Sequence, residues 1–161
     1  MATITKKNVD TQFLHTAAYG NVWANQYHFE TNSAGVWVDS DKTTAIASGD
    51  NCLLGILPGG LKILDALIIR SNVFKASATA SIGFQYCDGV NASAPAAQDP
   101  VYFCTTLALS SLGVTRKTET KVPLTLPKDA YLTLLHADQT QDEVGIIDII
   151  VYGIWTGSSL T

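Results

Sequence analysis

The residue types that most often carry chemistry are few in this chain and lie far apart. Its three histidines, His15, His28 and His136, are not paired with one another at the i+2 or i+4 spacing of a metal site. The motifs of serine hydrolases, zinc peptidases and P-loop nucleotide-binding proteins are absent. The sequence therefore predicts a protein that is not an enzyme and that binds no cofactor or metal ion.

Acidic residues offer the next possible chemistry. The 138–143 segment has carboxylate oxygens suited to calcium, but the EF-hand pattern is absent, which favours a solvated turn. Asp65 and Asp148 differ because each interrupts an apolar stretch, and a buried carboxylate must find hydrogen-bond donors or a cation. Several interpretations stay open for them: a partner such as Arg70, a structural role without a counterion, or a contact between subunits. A catalytic carboxylate pair would require the two to meet in space.

The cysteines indicate a reducing compartment. Cys52, Cys87 and Cys104 each lie beside apolar residues, their number is odd, and no Cys-x-x-Cys motif is present. Each is therefore predicted to be a buried thiol that packs as a small hydrophobic side chain.

Charge and composition exclude two classes of partner. Ten basic and 14 acidic residues give a net charge of −4, without the basic stripe that nucleic-acid binding requires. No apolar run reaches the ~20 residues of a membrane helix, and the first residues lack the apolar core of a signal peptide. We expect synthesis in a reducing cytoplasm, with no nucleic acid and no membrane as partner. Only 15% of the 161 residues are charged, which indicates that another chain covers part of the surface.

Most of the chain reads as strands separated by Gly and Pro turns. The pattern predicts strands over 50–57, 61–74, 79–87, 100–109, 114–126, 130–137 and 143–156, with a possible helical turn at 105–112. The prediction is an all-β antiparallel sandwich, preferably a jelly roll because 88–100 forms a long connection. Alternation places Ile63, Asp65 and Leu67 on one face of the second strand. Gly83 marks a bulge or a close backbone approach.

The beginning of the chain differs from the rest. Residues 1–40 are polar with scattered aromatic side chains and are predicted to form an extended N-terminal arm, while 41–161 form the sandwich domain. Aromatic side chains in a polar segment need an apolar surface. That surface belongs either to the same chain's sandwich or to a neighbouring subunit. The residues predicted to form a partner interface are Phe13, Tyr19, Trp23 and Trp37.

Four stretches of the chain resemble a known group of proteins. They are Leu-Pro-Gly-Gly at 57–60, the apolar strand at 61–70, Ser-Ile-Gly-Phe at 81–84, and the paired apolar strands of 130–156. Together they resemble small jelly-roll structural proteins of tailed bacteriophages, of the capsid decoration or cement type. The resemblance covers roughly two thirds of the chain and supplies no catalytic residues.

The resemblance implies a non-enzymatic virion protein on the capsid exterior that stabilises the shell by bridging major capsid subunits. Its implied partners are the major capsid protein and copies of itself, as a homodimer or homotrimer. Two alternatives stay open. One is another virion component, such as a tail, fibre or head-completion subunit. The other is a carbohydrate-binding jelly roll in which Trp23, Trp37 or Trp155 stacks on sugars.

Overall fold

A computed structural model of the chain describes residues 1–7, 22–94, 96–117 and 121–156. The described residues form strands and connecting loops, without a helix. The strands are β1 (Thr3–Thr5), β2 (Val22–Glu30), β3 (Asn51–Leu57), β4 (Leu61–Asn72), β5 (Thr79–Tyr86), β6 (Asp99–Ala108), β7 (Gly113–Arg116), β8 (Leu124–Thr125), β9 (Ala130–Ala137) and β10 (Ile146–Trp155). The predicted helical turn at 105–112 is wrong, because β6 continues to Ala108 and ends in a turn.

The strands form two sheets, and the predicted antiparallel β-sandwich is confirmed. One sheet has the order β1-β3-β9-β5-β6, and the other has the order β2-β10-β4-β7 with β8 beside β4. Without β1 and β8, eight strands remain in the orders 3-9-5-6 and 2-10-4-7. Every connection between consecutive members of this set crosses to the other sheet, except that between β5 and β6. Eight strands in two such sheets have the pattern of a jelly roll.

The core lies between the sheets and is rich in aromatic side chains. Phe29 of β2 packs against Trp37 and Phe74, with ring centroids 5.1 and 5.9 Å apart. On the other sheet, Phe84 contacts Tyr86 and Tyr102 edge to face. Aromatic groups of this size contribute much of the apolar area that a domain buries. They therefore join residues 29–37 firmly to the rest of the sandwich.

Gly83 marks a close backbone approach, as its place in the sequence predicts. A Cβ atom at this position would lie 2.1 Å from the backbone oxygen of Asp99. The pairing of β5 with β6 shifts register between Ile82 and Phe84. Only glycine allows the start of β6 to lie this close to β5.

The predicted faces of β4 are confirmed for Asp65 and Leu67 but wrong for Ile63, because the strand contains a bulge. Its pairing with β10 shifts register between Tyr152 and Gly153, which lie opposite Asp65 and Ile63. An extra residue in one strand reverses the inward and outward alternation beyond it. Ile63 is therefore buried on the same side as Ala66 and Ile68, whereas simple alternation placed it with Asp65.

The predicted domain boundary at residue 40 lies too late in the chain. Residues 22–30 form β2, which is an integral strand of the second sheet, and Trp37 belongs to the core. Residues 1–7 also lie on the sandwich: β1 pairs in parallel with β3, and the N–H of Asp41 donates to the C=O of Thr5 at 3.0 Å. Of the predicted arm, only residues 8–21 lie outside the described residues.

Candidate functional site: the outer face of the second sheet

The second sheet presents an apolar surface on the side away from the core. We call it the outer face. Alternation along β10 buries Ile147, Ile149 and Val151 and turns the intervening residues outward. Residues paired across neighbouring strands share a face, which identifies the outward residues of β2, β4 and β7. The apolar members of the outer face are Val22, Ala24, Leu67, Ile69, Val114, Ile146, Ile150, Tyr152 and Ile154.

The first sheet has a different outward surface. Its outward positions include Thr79, Ser81 and Gln85 of β5, and the amide of Asn51 donates to the side-chain oxygen of Gln85 at 3.0 Å. Small polar side chains of this kind are compatible with water. The first sheet also turns Tyr131 and Leu135 of β9 outward, opposite Gln85 and Ser81, so its outward surface mixes polar and apolar side chains. The outer face has more apolar members, and an apolar patch on a protein surface is typical of a contact with another protein.

A polar network crosses the outer face between β2 and β10. Nδ1 of His28 lies 2.8 Å from Oδ1 of Asp148, and Nε2 of Gln26 donates to the same oxygen at 2.9 Å. Nε2 of His28 lies 3.3 Å from Glu30. Partial burial lowers the pKa of His28, but hydrogen bonds to Asp148 and Glu30 and their negative charges outweigh it, so the pKa is raised above 6.5. Asp148, which interrupts an apolar strand, therefore has its partners on β2.

Asp65 has a different partner from the one that the sequence suggested. Its carboxylate accepts a hydrogen bond from the guanidinium of Arg116 on β7 at 2.6 Å, at the margin of the outer face. Arg70 instead donates to the C=O of Ala108 and to the hydroxyl of Thr115. Asp65 and Asp148 each pair with a basic or amide side chain, so the structure does not bring them together as a carboxylate pair.

The structure separates the four aromatic residues of the predicted interface. Phe13 and Tyr19 lie outside the described residues. Trp23 is the second residue of β2, is half-buried and packs against the rim of the core. Trp37 is only 2% exposed. The prediction that Trp37 contacts a partner is therefore corrected: its ring fills the core beside Phe29, where neither another protein nor a sugar reaches it.

Sequence reasoning missed the contribution of β2 to the outer face. Reading 1–40 as an arm hid a two-residue alternation, in which Tyr27 and Phe29 are buried while Gln26, His28 and Glu30 point outward. That alternation is the usual signal of a half-buried strand. The alternation is visible in the sequence, but the polar residues of 1–40 favoured the interpretation of this part of the chain as an arm.

A second polar cluster is buried at the end of the sandwich where β3 begins. The carboxylate of Asp50 accepts hydrogen bonds from the backbone N–H groups of Ala2 and Ala47 and from the ammonium group of Lys42. Burial opposes ionisation of Asp50, but these bonds outweigh it and lower its pKa. His136 on β9 is completely buried nearby, and burial lowers its pKa below 6.5. The cluster ties Ala2, Lys42 and Ala47 to the start of β3, while neither ring nitrogen of His136 has a hydrogen-bond partner among the described residues.

Two further observations concern metal ligands and membrane-spanning helices. The described residues contain no group of three or more His, Cys, Asp or Glu side chains arranged to hold a metal ion. Within the same part of the chain, no helix is long and apolar enough to cross a membrane.

Comparison with known proteins gives matches of structure only. No protein-family model matches the sequence, and no curated protein matches it. Among solved structures, a chain from the capsid of Ralstonia phage GP4 superposes with a TM-score of 0.67 at 17% identity, covering 98% of this chain and 100% of that one. A chain from the capsid asymmetric unit of cyanophage Pam1 gives 0.55 at 13% identity, with 92% and 97% covered. At these identities the similarity establishes a shared fold.

Proposed function

We propose that this chain is a non-enzymatic structural protein of a bacteriophage virion, which decorates the capsid exterior and cements the shell by bridging major capsid subunits. The structural match to a chain from the capsid of Ralstonia phage GP4 carries the proposal. Because the match covers nearly all of both chains, the matched capsid component has about the same length as this chain. Fold alone does not determine function, so the surfaces of this chain must also fit the role.

The outer face supports a role in protein contact. Ile150 and Leu67 lie at its centre, opposite one another on β10 and β4. The polar groups beside them are already paired within the chain, since Asp148 accepts hydrogen bonds from two side chains of β2. A partner that covers this face would gain apolar burial without leaving the carboxylate unsatisfied.

The segment that contains Phe13 and Tyr19 also suits attachment to a shell. Both of its neighbours in the chain are held on the sandwich: the N–H of Lys7 donates to the C=O of Asp39 at 2.6 Å, and Val22 begins the β2–β10 ladder. A segment tied at both ends has fewer conformations to lose on binding than a free arm. We therefore keep Phe13 and Tyr19 as proposed shell contacts, with Trp23 beside them at the start of β2.

A pelleting assay with undecorated heads tests the proposal. The wild-type chain is expected to sediment with the heads, and the Phe13→Ala/Tyr19→Ala variant is expected to remain largely in the supernatant. Leu112→Ala is the matched control, because Leu112 is 63% exposed and lies in the β6–β7 turn at the opposite end of the sandwich. Failure of the wild-type chain to bind any head would contradict the capsid role. Equal binding of all three proteins would contradict only the assignment of Phe13 and Tyr19.

Copy number in purified virions separates decoration from the other virion roles. A protein that covers the shell is expected at a copy number comparable with that of the major capsid protein. A tail, fibre or head-completion subunit is expected at a small fraction of that number. Quantitative mass spectrometry of virions measures the ratio directly.

A further inference from the structure

The free edge of β2 carries backbone groups that no described residue binds. β2 pairs with β10 at all nine of its positions without a register shift, so one edge is fully used. On the other edge, the N–H of Val38 donates to the C=O of Glu30 at 2.9 Å. Backbone groups alternate in direction along a strand, so Ala24, Gln26 and His28 also point their N–H and C=O groups away from β10. Among the described residues, no backbone hydrogen bond reaches these groups.

The described residues protect the opposite edge of this sheet and leave the β2 edge unprotected. On the opposite edge, β7 and β8 are only four and two residues long, Arg116 ends β7, and Pro123 precedes β8. Short strands, charged side chains and proline are the usual means by which an edge avoids pairing with another chain. β2 is nine residues long and contains no lysine, arginine, proline or glycine. Its edge is therefore a template for another strand.

We propose that β2 pairs in antiparallel register with β2 of a second copy of this chain, so that the second sheets of the two copies become one continuous sheet. The open stretch runs from Val22 to His28, and its centre is Asn25. A two-fold axis at Asn25 pairs Ala24 with Gln26, and Val22 with His28, of the two copies. Each open N–H of one copy then meets an open C=O of the other.

The distribution of charge also favours a second copy as the occupant. The acidic side chains Glu30 and Asp148 lie at the His28 end of the open stretch. We call the line along which the two β2 strands pair the seam. In an antiparallel pair the acidic ends of the two copies lie at opposite ends of the seam, so no like charges face each other across it. Ala24 and Gln26, which meet at the middle of the seam, are uncharged and exposed in the single chain. The inference concerns the free protein and is independent of the capsid role.

Amide hydrogen exchange followed by NMR tests the seam in the wild-type chain. The N–H groups of Asn25 and Tyr27 bond to β10 and should be protected at every protein concentration. Those of Ala24 and Gln26 should exchange rapidly at high dilution and become protected as concentration rises. Rapid exchange of Ala24 and Gln26 in a chain that remains monomeric throughout the dilution series would overturn the inference. A strand supplied only by a different protein would give that result.

A proline variant tests the same seam by sedimentation. Ala24→Pro removes an N–H that the β2–β10 ladder does not use and places the ring in the path of the partner strand. We expect loss of the dimer, with the circular dichroism of a folded sandwich retained. Ala24→Val is the matched control, because it keeps the N–H and favours a strand, and it should remain dimeric. A dimer that survives Ala24→Pro would overturn the inference.

Disulfide cross-linking of introduced cysteines tests the proposed β2–β2 register without altering the backbone. Facing residues of a non-hydrogen-bonded antiparallel pair have Cα atoms about 4.5 Å apart, which a disulfide can span. In a Cys87→Ser background, Asn25→Cys should therefore form a covalent dimer on oxidation. Gln26→Cys should not, because Gln26 faces Ala24 of the second copy. Efficient linkage through Gln26→Cys and none through Asn25→Cys would overturn the proposed register.

Discussion

Asp148 lies directly opposite His28 in the β2–β10 ladder, and their side chains meet at 2.8 Å on the outer face. This contact joins a strand near the beginning of the chain to the last strand of the sandwich. It also accounts for a carboxylate within the apolar stretch of β10, since the same oxygen accepts a hydrogen bond from Gln26. The outer face thus contains a charged group whose hydrogen-bonding needs are met before any partner arrives.

Replacing Asp148 with Asn should lower the pKa of His28. Asp148 gives the larger of the two hydrogen-bond contributions that raise this pKa, and Glu30 gives the smaller. The measurement is an NMR titration of the His28 ring in the wild-type chain, in Asp148→Asn, and in Glu30→Gln as the comparison. A raised pKa in the folded state means that the stabilisation is present below pH 6.5 and is lost as pH rises through the folded pKa. An unchanged pKa in Asp148→Asn would contradict the assigned contact.

His136 should make the sandwich less stable as the solution becomes acidic. Burial lowers the pKa of His136, so the unfolded chain binds a proton at a pH where the folded chain does not. The free energy of unfolding should therefore fall as pH drops below 6.5 towards the folded pKa. Nearby charges on Asp50 and Asp138 oppose this effect, and burial outweighs them. Urea unfolding over this pH range, compared between the wild-type chain and His136→Leu, should show a steeper decline in the wild type.

Gly83→Ala should be more costly than a glycine substitution at a turn. The new Cβ would meet backbone atoms of Asp99 and Pro100, which move only if β6 shifts away from β5. We expect a loss of roughly 3 kcal/mol in the free energy of unfolding, at the upper end of the usual cost of overpacking. Gly89→Ala is the control, because no atom lies within 4 Å and only the left-handed backbone with φ of +71° opposes it. Its cost should be about 1 kcal/mol.

The three thiols should react in a defined order. Cys52 and Cys104 are buried, and burial raises the pKa of both thiols, whereas Cys87 is only half-buried. A thiol reagent should therefore label Cys87 first in the native protein and the other two only after addition of denaturant. The prediction of a buried thiol is confirmed for Cys52 and Cys104 and is wrong for Cys87. Fast native labelling of Cys52 would contradict the described packing.

Trp37→Ala should destabilise the whole sandwich. The ring lies in the core against Phe29, and removal of a buried tryptophan costs about 3–5 kcal/mol. Thermal unfolding should show a large fall in midpoint. Trp23→Ala should cost less, because Trp23 lies at the rim of the core. Equal stability of Trp37→Ala and the wild-type chain would contradict the core assignment.

The sandwich could be predicted from the sequence where simple alternation and turn residues agree. In β5, Ala80, Ile82 and Phe84 alternate with polar residues or glycine and are buried as predicted. In β4, the bulge near Asp65 reverses the alternation, and no residue type in that strand signals it. The relation of Trp37 to the core depends on contacts distant in the sequence. An aromatic residue in a polar segment is compatible with either a core or an interface, so the sequence left both open.

A cryo-electron microscopy map of the virion that carries this chain would locate the protein on the particle. We expect sandwich-shaped density on the outside of the capsid, repeated over the shell and spanning the boundaries between major capsid subunits. The residue 8–21 segment should contact the shell beneath it. Density for this chain confined to the tail or to fibres, or its absence from the particle, would contradict the proposed function.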